Sequence, residues 1–211
     1  MKTLHSNNNC KLYVSPIVST LNEFSHFFGC NTETIVNQAQ RNFSSQHRQN
    51  EWLTARALLY KIFNKPVSIA YDKAGKPHIE NEKINISISH SKNYVAILTS
   101  DMPCIGVDIE TISPRILRLQ HRIMQESEIP REYDKFSLLE KQKFLTYLWT
   151  IKEAAYKSLK FQDNINILTD IIISSTYPKE NPNFFFTFQN HTPQLATCIE
   201  CDNNICTFVC Y

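Results

Sequence analysis

The sequence predicts an α+β fold, and three observations carry that expectation. Stretches with helical apolar spacing and runs with strand-like alternation occur in both halves of the chain. Polar turn residues, Ser91-Lys92-Asn93 and Asp202-Asn203-Asn204, sit between pairs of alternating runs and read as hairpins. Each half therefore feeds helices into antiparallel strands.

The elements follow in order. Residues 11–19 read as a short strand, with Pro16 limiting it to an edge or an end. Asn31 or Thr32 begins a helix through about Arg41. Ser44 to Phe63 forms a second helix with Trp52, Ala55, Leu59 and Phe63 on one face, and Pro66 ends it. Ile84–Ser89 and Tyr94–Thr99 form a hairpin, and Met102–Glu110 is a further strand. Thr111–Pro114 breaks the chain, after which Ile116, Leu119 and Ile123 mark an amphipathic helix. Arg115, Arg118 and Arg122 make a basic stripe opposite that apolar face, which reads either as a docking surface for an acidic partner or as a solvated face. A long helix runs from about Ser137 to Lys160, with Phe144, Leu148, Ile151, Ala155 and Leu159 as its core face. Strands follow at 167–174, 184–188 and in a closing hairpin.

Composition narrows the class. The chain has 211 residues, enough for one large or two small domains. At 42% hydrophobic and 20% charged it reads as a soluble globular protein. A net charge of +2 gives no bulk electrostatic reason to expect nucleic acid or a membrane surface. The residues after Met1 lack the apolar core of a signal peptide, and no apolar run is long enough to span a bilayer. Seven cysteines, an odd number without a secretory signal, argue against a disulfide framework and for reduced thiols in a cytoplasmic protein. Cys198, Cys201, Cys206 and Cys210 have some likeness to zinc-knuckle spacing, but they fall in the two runs of the closing hairpin, where cysteine serves as a small apolar residue.

Two stretches carry chemistry. In Gly106-Val107-Asp108-Ile109-Glu110, strand alternation sends Asp108 and Glu110 to one side and Ile105, Val107 and Ile109 to the other. Two adjacent carboxylates repel unless a cation joins them, and Mg²⁺ takes oxygen ligands with substrate phosphate completing its shell. The plainer reading is an acidic outer strand face. In Trp149-Thr150-Ile151-Lys152-Glu153-Ala154-Ala155-Tyr156-Lys157, Glu153 and Lys157 lie four apart on one helical face. Alone, that is an ordinary surface ion pair. Lys152 faces elsewhere on the helix.

Together and in this order, the two stretches resemble the 4′-phosphopantetheinyl transferase superfamily, whose patterns are roughly G-[IV]-D-[IV]-E and [FW]-[SCTA]-x-K-E-[AS]-x-x-K. Upstream, Lys73-Ala74-Gly75-Lys76-Pro77 resembles the family's G-K-P segment. Asn85 to Ser91 is similar to its N-x-S-H-S strand with two extra residues, and Trp52 to Leu59 to the helix bearing a coenzyme-A-contacting arginine. The resemblance spans about residues 41–160.

It implies two similar α+β subdomains related by pseudo-twofold symmetry, with the active site in the cleft between them. The expected join lies near residue 105: residues 1–104 for coenzyme A phosphate contacts, residues 105–211 for the metal and catalytic motifs. The length, with one set of motifs, resembles the longer Sfp-type branch and implies a monomer. The implied reaction moves the 4′-phosphopantetheine arm of coenzyme A onto a serine of an apo acyl or peptidyl carrier protein, a holo-[acyl-carrier-protein] synthase activity that releases 3′,5′-ADP. Asp108, Glu110 and Glu153 would hold Mg²⁺, or Mn²⁺, which has similar ligand preferences. Glu153 would also act as general base, and Lys157 would bind the pyrophosphate and protonate the leaving phosphate. Arg56, Lys76, Ser89 and His90 would contact coenzyme A, with His90 at its 3′-phosphate. Arg41, Arg48 and Lys61 also have the charge for phosphate, without a secure place in the pattern. Ser158 to Asn164 departs from the family by lacking a glycine-rich loop. A non-catalytic homologue that binds coenzyme A or a carrier, or an unrelated magnesium phosphohydrolase, is the alternative.

Overall fold

The computed structural model describes residues 2–6, 9–159, 165–174, 183–189 and 191–211. The architecture is α+β, built on two antiparallel sheets. The first contains β1 (Lys2–Ser6), β2 (Cys10–Pro16), β3 (Ile69–Tyr71), β4 (Pro77–Ile79), β5 (Asn85–His90) and β6 (Tyr94–Ser100), in the order β1-β2-β6-β5-β4-β3. The second contains β7 (Ile105–Thr111), β8 (Ile171–Ile173), β9 (Asn183–Phe188), β10 (Gln194–Cys201) and β11 (Asn204–Cys210), in the order β7-β11-β10-β9-β8.

Helices cover the outer faces. α1 (Leu21–Phe28) and α2 (Thr32–Asn42) pack on α3 (Gln46–Phe63). α3 lays Ala55, Leu58 and Leu59 on Ile86, Val95 and Ile97 of the first sheet. A 3-10 turn (Pro114–Leu119) leads into the short α4 (Gln120–Ile123). α5 (Leu138–Ser158) covers the second sheet, with Phe144, Leu148, Ile151 and Ala155 in its core. Its start is fixed by a capping box in which Glu140 N donates to Ser137 Oγ while Ser137 N donates to the Glu140 carboxylate.

The inner faces of the two sheets share a core. Leu12, Val14, Ala96 and Leu98 of the first meet Ile105, Val107, Ile109, Cys206 and Phe208 of the second. Strand alternation therefore works at β5 and β7 as expected. Ile86 and Ile88 of β5 face α3, while its serines face β7. On β7 the apolar residues face the shared core and Asp108 faces α5.

Several elements differ from the sequence expectation. β1, β3 and β4 and helix α1 lie outside the sequence expectation, because three to eight residues give too few repeats for a periodic signal. β2 is interior, between β1 and β6, and Pro16 is its last residue, so it ends the strand. The expected helix over 116–123 is divided: its first half belongs to the 3-10 turn that starts at Pro114, only Gln120–Ile123 is α-helical, and Leu119 is 38% exposed. Residues Asn166 to Asp170 form a hydrogen-bonded turn, which shortens the expected 167–174 strand to Ile171–Ile173. The glycine-free segment after α5 falls largely on residues 160–164, outside the described residues.

Cys198 faces α5, whereas Cys206 faces the shared core, so the closing-hairpin cysteines do not converge on one ion. Cys198 and Cys206 are buried in the strands, while Cys198 Sγ lies 3.0 Å from Thr207 Oγ1 and Cys210 Sγ 3.3 Å from Ser100 Oγ.

Lys152 takes an unexpected place. It is fully buried, with its ammonium 2.9 Å from Glu128 Oε2 and 3.0 Å from the Leu168 carbonyl. Glu128, also fully buried, accepts from Gln125 N and Ile173 N as well. The pair ties the 3-10 turn at Glu126–Glu128 to α5 and β8. Lys152→Met is expected to lose about 3–5 kcal/mol in denaturant unfolding, because it leaves an uncompensated buried carboxylate. A loss below about 1 kcal/mol would show that water reaches Glu128.

Candidate active site

β7 presents its acidic face to α5, and the packing there is close. Gly106 lies directly under α5, where an added Cβ would stand 1.9 Å from the Ala154 carbonyl oxygen and 2.8 Å from Ser158 N. The missing side chain brings the Asp108 end of the strand to the Lys157 end of the helix. Lys157 Nζ donates to Asp108 Oδ1 at 2.7 Å, to the Val107 carbonyl at 3.2 Å and to Ser89 Oγ at 3.3 Å. Ser89 Oγ in turn donates to Asp108 Oδ1 at 2.7 Å.

The serines of β5 also bridge the sheets. Val107 N donates to Ser87 Oγ at 3.1 Å and Ile109 N to Ser89 Oγ at 3.4 Å. β7 is an edge strand, so its outward amides need partners, and the side chains of β5 supply them.

The acids feel one another. Asp108 is 4% exposed, and its Oδ2 is buried with no hydrogen-bond partner in the protein. Burial first, then Asp108, pushes the Glu110 carboxyl up to about 7, with Glu153 adding a smaller push and Trp149 and Lys157 opposing. Burial and Asp108 also raise Glu153, against the pull of Lys157. Among the described residues, no three His, Cys, Asp or Glu side chains are gathered closely enough to hold an ion as they stand. The donor set nevertheless fits a divalent cation: hard oxygens, mutual repulsion, and one buried carboxylate oxygen without a partner.

Because folding raises the Glu110 pKa, its contribution to stability is complete below its ordinary value of 4.5 and is lost as pH rises through about 7. We expect melting temperatures in EDTA to fall across that window more steeply for the wild type than for Glu110→Gln. Parallel curves would contradict the shift.

Glu153 and Lys157 line a groove of about 240 Å³ together with Gly75, Lys76 and Ser87. Beyond Ile88, which borders both, a second hollow of about 250 Å³ is lined by Arg48, Trp52, Arg56, Tyr71 and His90. The Arg56 guanidinium lies 3.2 Å from the centre of the Trp52 ring, and burial lowers its pKa to about 10. Of the residues singled out from sequence, Asp108, Ser89 and Lys157 are in direct contact, and Glu110 and Glu153 adjoin them electrostatically. Lys76 shares the groove with Glu153 and Lys157, while Arg56 and His90 share the hollow. Lys61 lies elsewhere, on a cavity beside α1. Arg115, Arg118 and Arg122 are exposed. Sequence reasoning missed Ser87 in the groove and Glu51, which lines the hollow beside Arg48 and His90, and it gave Arg48 no secure place. The spacing of Ser87 and Ser89 on β5 carried the signal for one of these, since it puts both hydroxyls on one face.

The sequence pattern of the 4′-phosphopantetheinyl transferase superfamily matches residues 104–210, from the approach to β7 through β11. The chain belongs to this superfamily. It is 33% identical over 113 residues to the 4′-phosphopantetheinyl transferase AcpT of Escherichia coli K12, a match covering 52% of this chain and 57% of that protein. It is 30% identical over 121 residues to the AcpT of Salmonella typhi, covering 52% and 58%. The L-aminoadipate-semialdehyde dehydrogenase-phosphopantetheinyl transferase of Candida glabrata is 25% identical over 106 residues, covering 47% and 41%. The chain thus spans about half the length of the curated relatives it matches. For a superfamily member, the acidic face of β7 and the face of α5 opposite it are the candidate catalytic centre.

Proposed function

We propose that the protein transfers the 4′-phosphopantetheine arm of coenzyme A to a serine hydroxyl of an apo carrier protein. The observation that carries this reading is the meeting of β7 and α5: Asp108 pairs with Lys157 and adjoins Glu110 and Glu153 electrostatically, and Glu153 and Lys157 line a groove with Lys76. In this reading the pantetheine pyrophosphate lies in the groove. Lys76 and Lys157 hold its charge, and Ser89 adds a hydroxyl beside Lys157. Glu153, its carboxyl raised above the ordinary range by burial and by Asp108, accepts the proton of the attacking serine. The serine oxygen bonds to the phosphorus of the arm, the bond to the bridging oxygen breaks, and Lys157 donates a proton to the departing 3′,5′-ADP. Asp108, Glu110 and Glu153 would hold Mg²⁺, or Mn²⁺, which would supply charge neutralisation on the pyrophosphate when bound. Arg56 and His90, in the neighbouring hollow, would contact the nucleotide phosphates of coenzyme A.

The same reading takes residues 1–104 and 105–211 as two related subdomains with the cleft between them, in an Sfp-type enzyme that works as a monomer. One experiment tests it. The protein is incubated with an apo acyl or peptidyl carrier, coenzyme A and Mg²⁺, and the intact carrier is weighed. A mass gain of one phosphopantetheine arm is the expected result. Binding without a mass change would favour a non-catalytic homologue, and release of free phosphate a hydrolase.

A further inference from the structure

A second charged cluster lies near the start of α3, across β5 from the acids. At its centre is Glu51, only 7% exposed. His47 Nε2 and His90 Nδ1 approach Glu51 Oε1 at 3.0 and 3.3 Å, and Arg48 Nη1 reaches Oε2 at 3.0 Å. Arg48 Nη1 also stands 3.0 Å from His90 Nε2. An arginine only donates, so Nε2 accepts. The proton of the neutral ring therefore sits on Nδ1, facing the carboxylate. Both ends of the imidazole are thus assigned by two residues of one helix turn. The burial is uneven: the side chains of Arg48 and His90 are 54% and 43% exposed, against 8% for Glu51. The acid is the fixed point, and the two basic side chains border the hollow that contains Arg56.

We infer that Glu51 is a positioning residue for a phosphomonoester subsite, holding His90 and Arg48 so that both meet a terminal phosphate on the nucleotide. This rests on the coenzyme A reading above, in which His90 meets the 3′-phosphate. When the phosphate enters, Arg48 turns its donor from His90 Nε2 to a phosphate oxygen. Nε2 then takes a proton from solvent and donates to the phosphate as well. The Glu51 carboxylate, still bonded to Nδ1–H, stabilises the imidazolium from behind. Arg48 and Glu51 on α3, Lys157 on α5 and Asp108 on β7 are the charges that bear on this ring. A buried carboxylate beside a phosphate site would ordinarily repel the ligand. Here its two oxygens are already engaged by three basic side chains, so its charge acts through them.

The test uses calorimetric titration of the full chain with adenosine 3′,5′-bisphosphate and with 5′-AMP. Wild-type protein is expected to bind the bisphosphate more tightly. Glu51→Gln should weaken the bisphosphate on the order of tenfold, the loss of one charge-assisted bond, and change 5′-AMP by less than about twofold. Arg48→Gln should behave in the same way, with melting temperatures showing both variants folded. In steady-state transfer, Glu51→Gln should raise KM for coenzyme A but leave KM for dephospho-coenzyme A and kcat unchanged. Equal loss for both nucleotides would reduce Glu51 to a scaffold role and overturn the inference. Tighter bisphosphate binding by Glu51→Gln would show that the acid repels phosphate, and also overturns it. Wild-type protein that binds both nucleotides equally has no such subsite, whatever the carrier assay shows. Wild-type protein that binds neither defeats the coenzyme A reading and this inference with it.

Discussion

Gly106→Ala is expected to destabilise the fold by about 4 kcal/mol or more, at the extreme of what single substitutions do. The added methyl would stand 1.9 Å from the Ala154 carbonyl oxygen and 2.9 Å from its carbon, which are backbone atoms inside α5. A flexible side-chain tip could rotate away. A helix carbonyl cannot, so the whole of α5 must lift from β7. That movement opens the core around Ile151, Ala154 and Ala155, and it parts Lys157 from Asp108. Denaturant unfolding and soluble yield both read the effect. A midpoint close to wild type would mean the helix and strand are farther apart than described.

In the proposed reaction, Glu153→Gln should slow transfer about 10²–10⁴-fold, the usual contribution of a positioned general base. The amide keeps the size of the side chain but cannot accept the serine proton. Coenzyme A affinity should stay within about twofold, because the phosphate contacts proposed for Lys76, Arg56 and His90 are untouched and the amide oxygen can still face the cation beside Asp108 and Glu110. Single-turnover mass measurement on the carrier separates the two quantities. A near-normal rate would assign the base to another group.

Much of this centre was legible in the sequence, for a physical reason. Strand and helix periods are rigid, so Asp108 and Glu110 had to share a face, and the α5 side of β7 is where Asp108 is found. The long α5 announced itself through five apolar residues at helical spacing, and its expected start at about Ser137 coincides with the observed cap. What stayed hidden was tertiary. Nothing in the pattern around Lys152 said that it would bury its charge against Glu128, 24 positions earlier. The need for glycine in the first motif comes from α5 lying across it, a tertiary contact that no local pattern carries. Glu51 carries no local signal, because its partner His90 is 39 positions away in sequence. The short strands β1, β3 and β4 are held by their neighbours in the sheet more than by their own composition.

The family pattern covers residues 104–210, yet that stretch is not a separable working unit. Cut free, it would turn Val107, Ile109, Cys206 and Phe208 to water and strip the β7 amides of the serines that satisfy them. Such a fragment carries an unprotected strand edge beside a greasy face, the combination that drives chains to stack on one another. Grafting this acidic centre onto another scaffold therefore means importing β2, β5 and β6 as well.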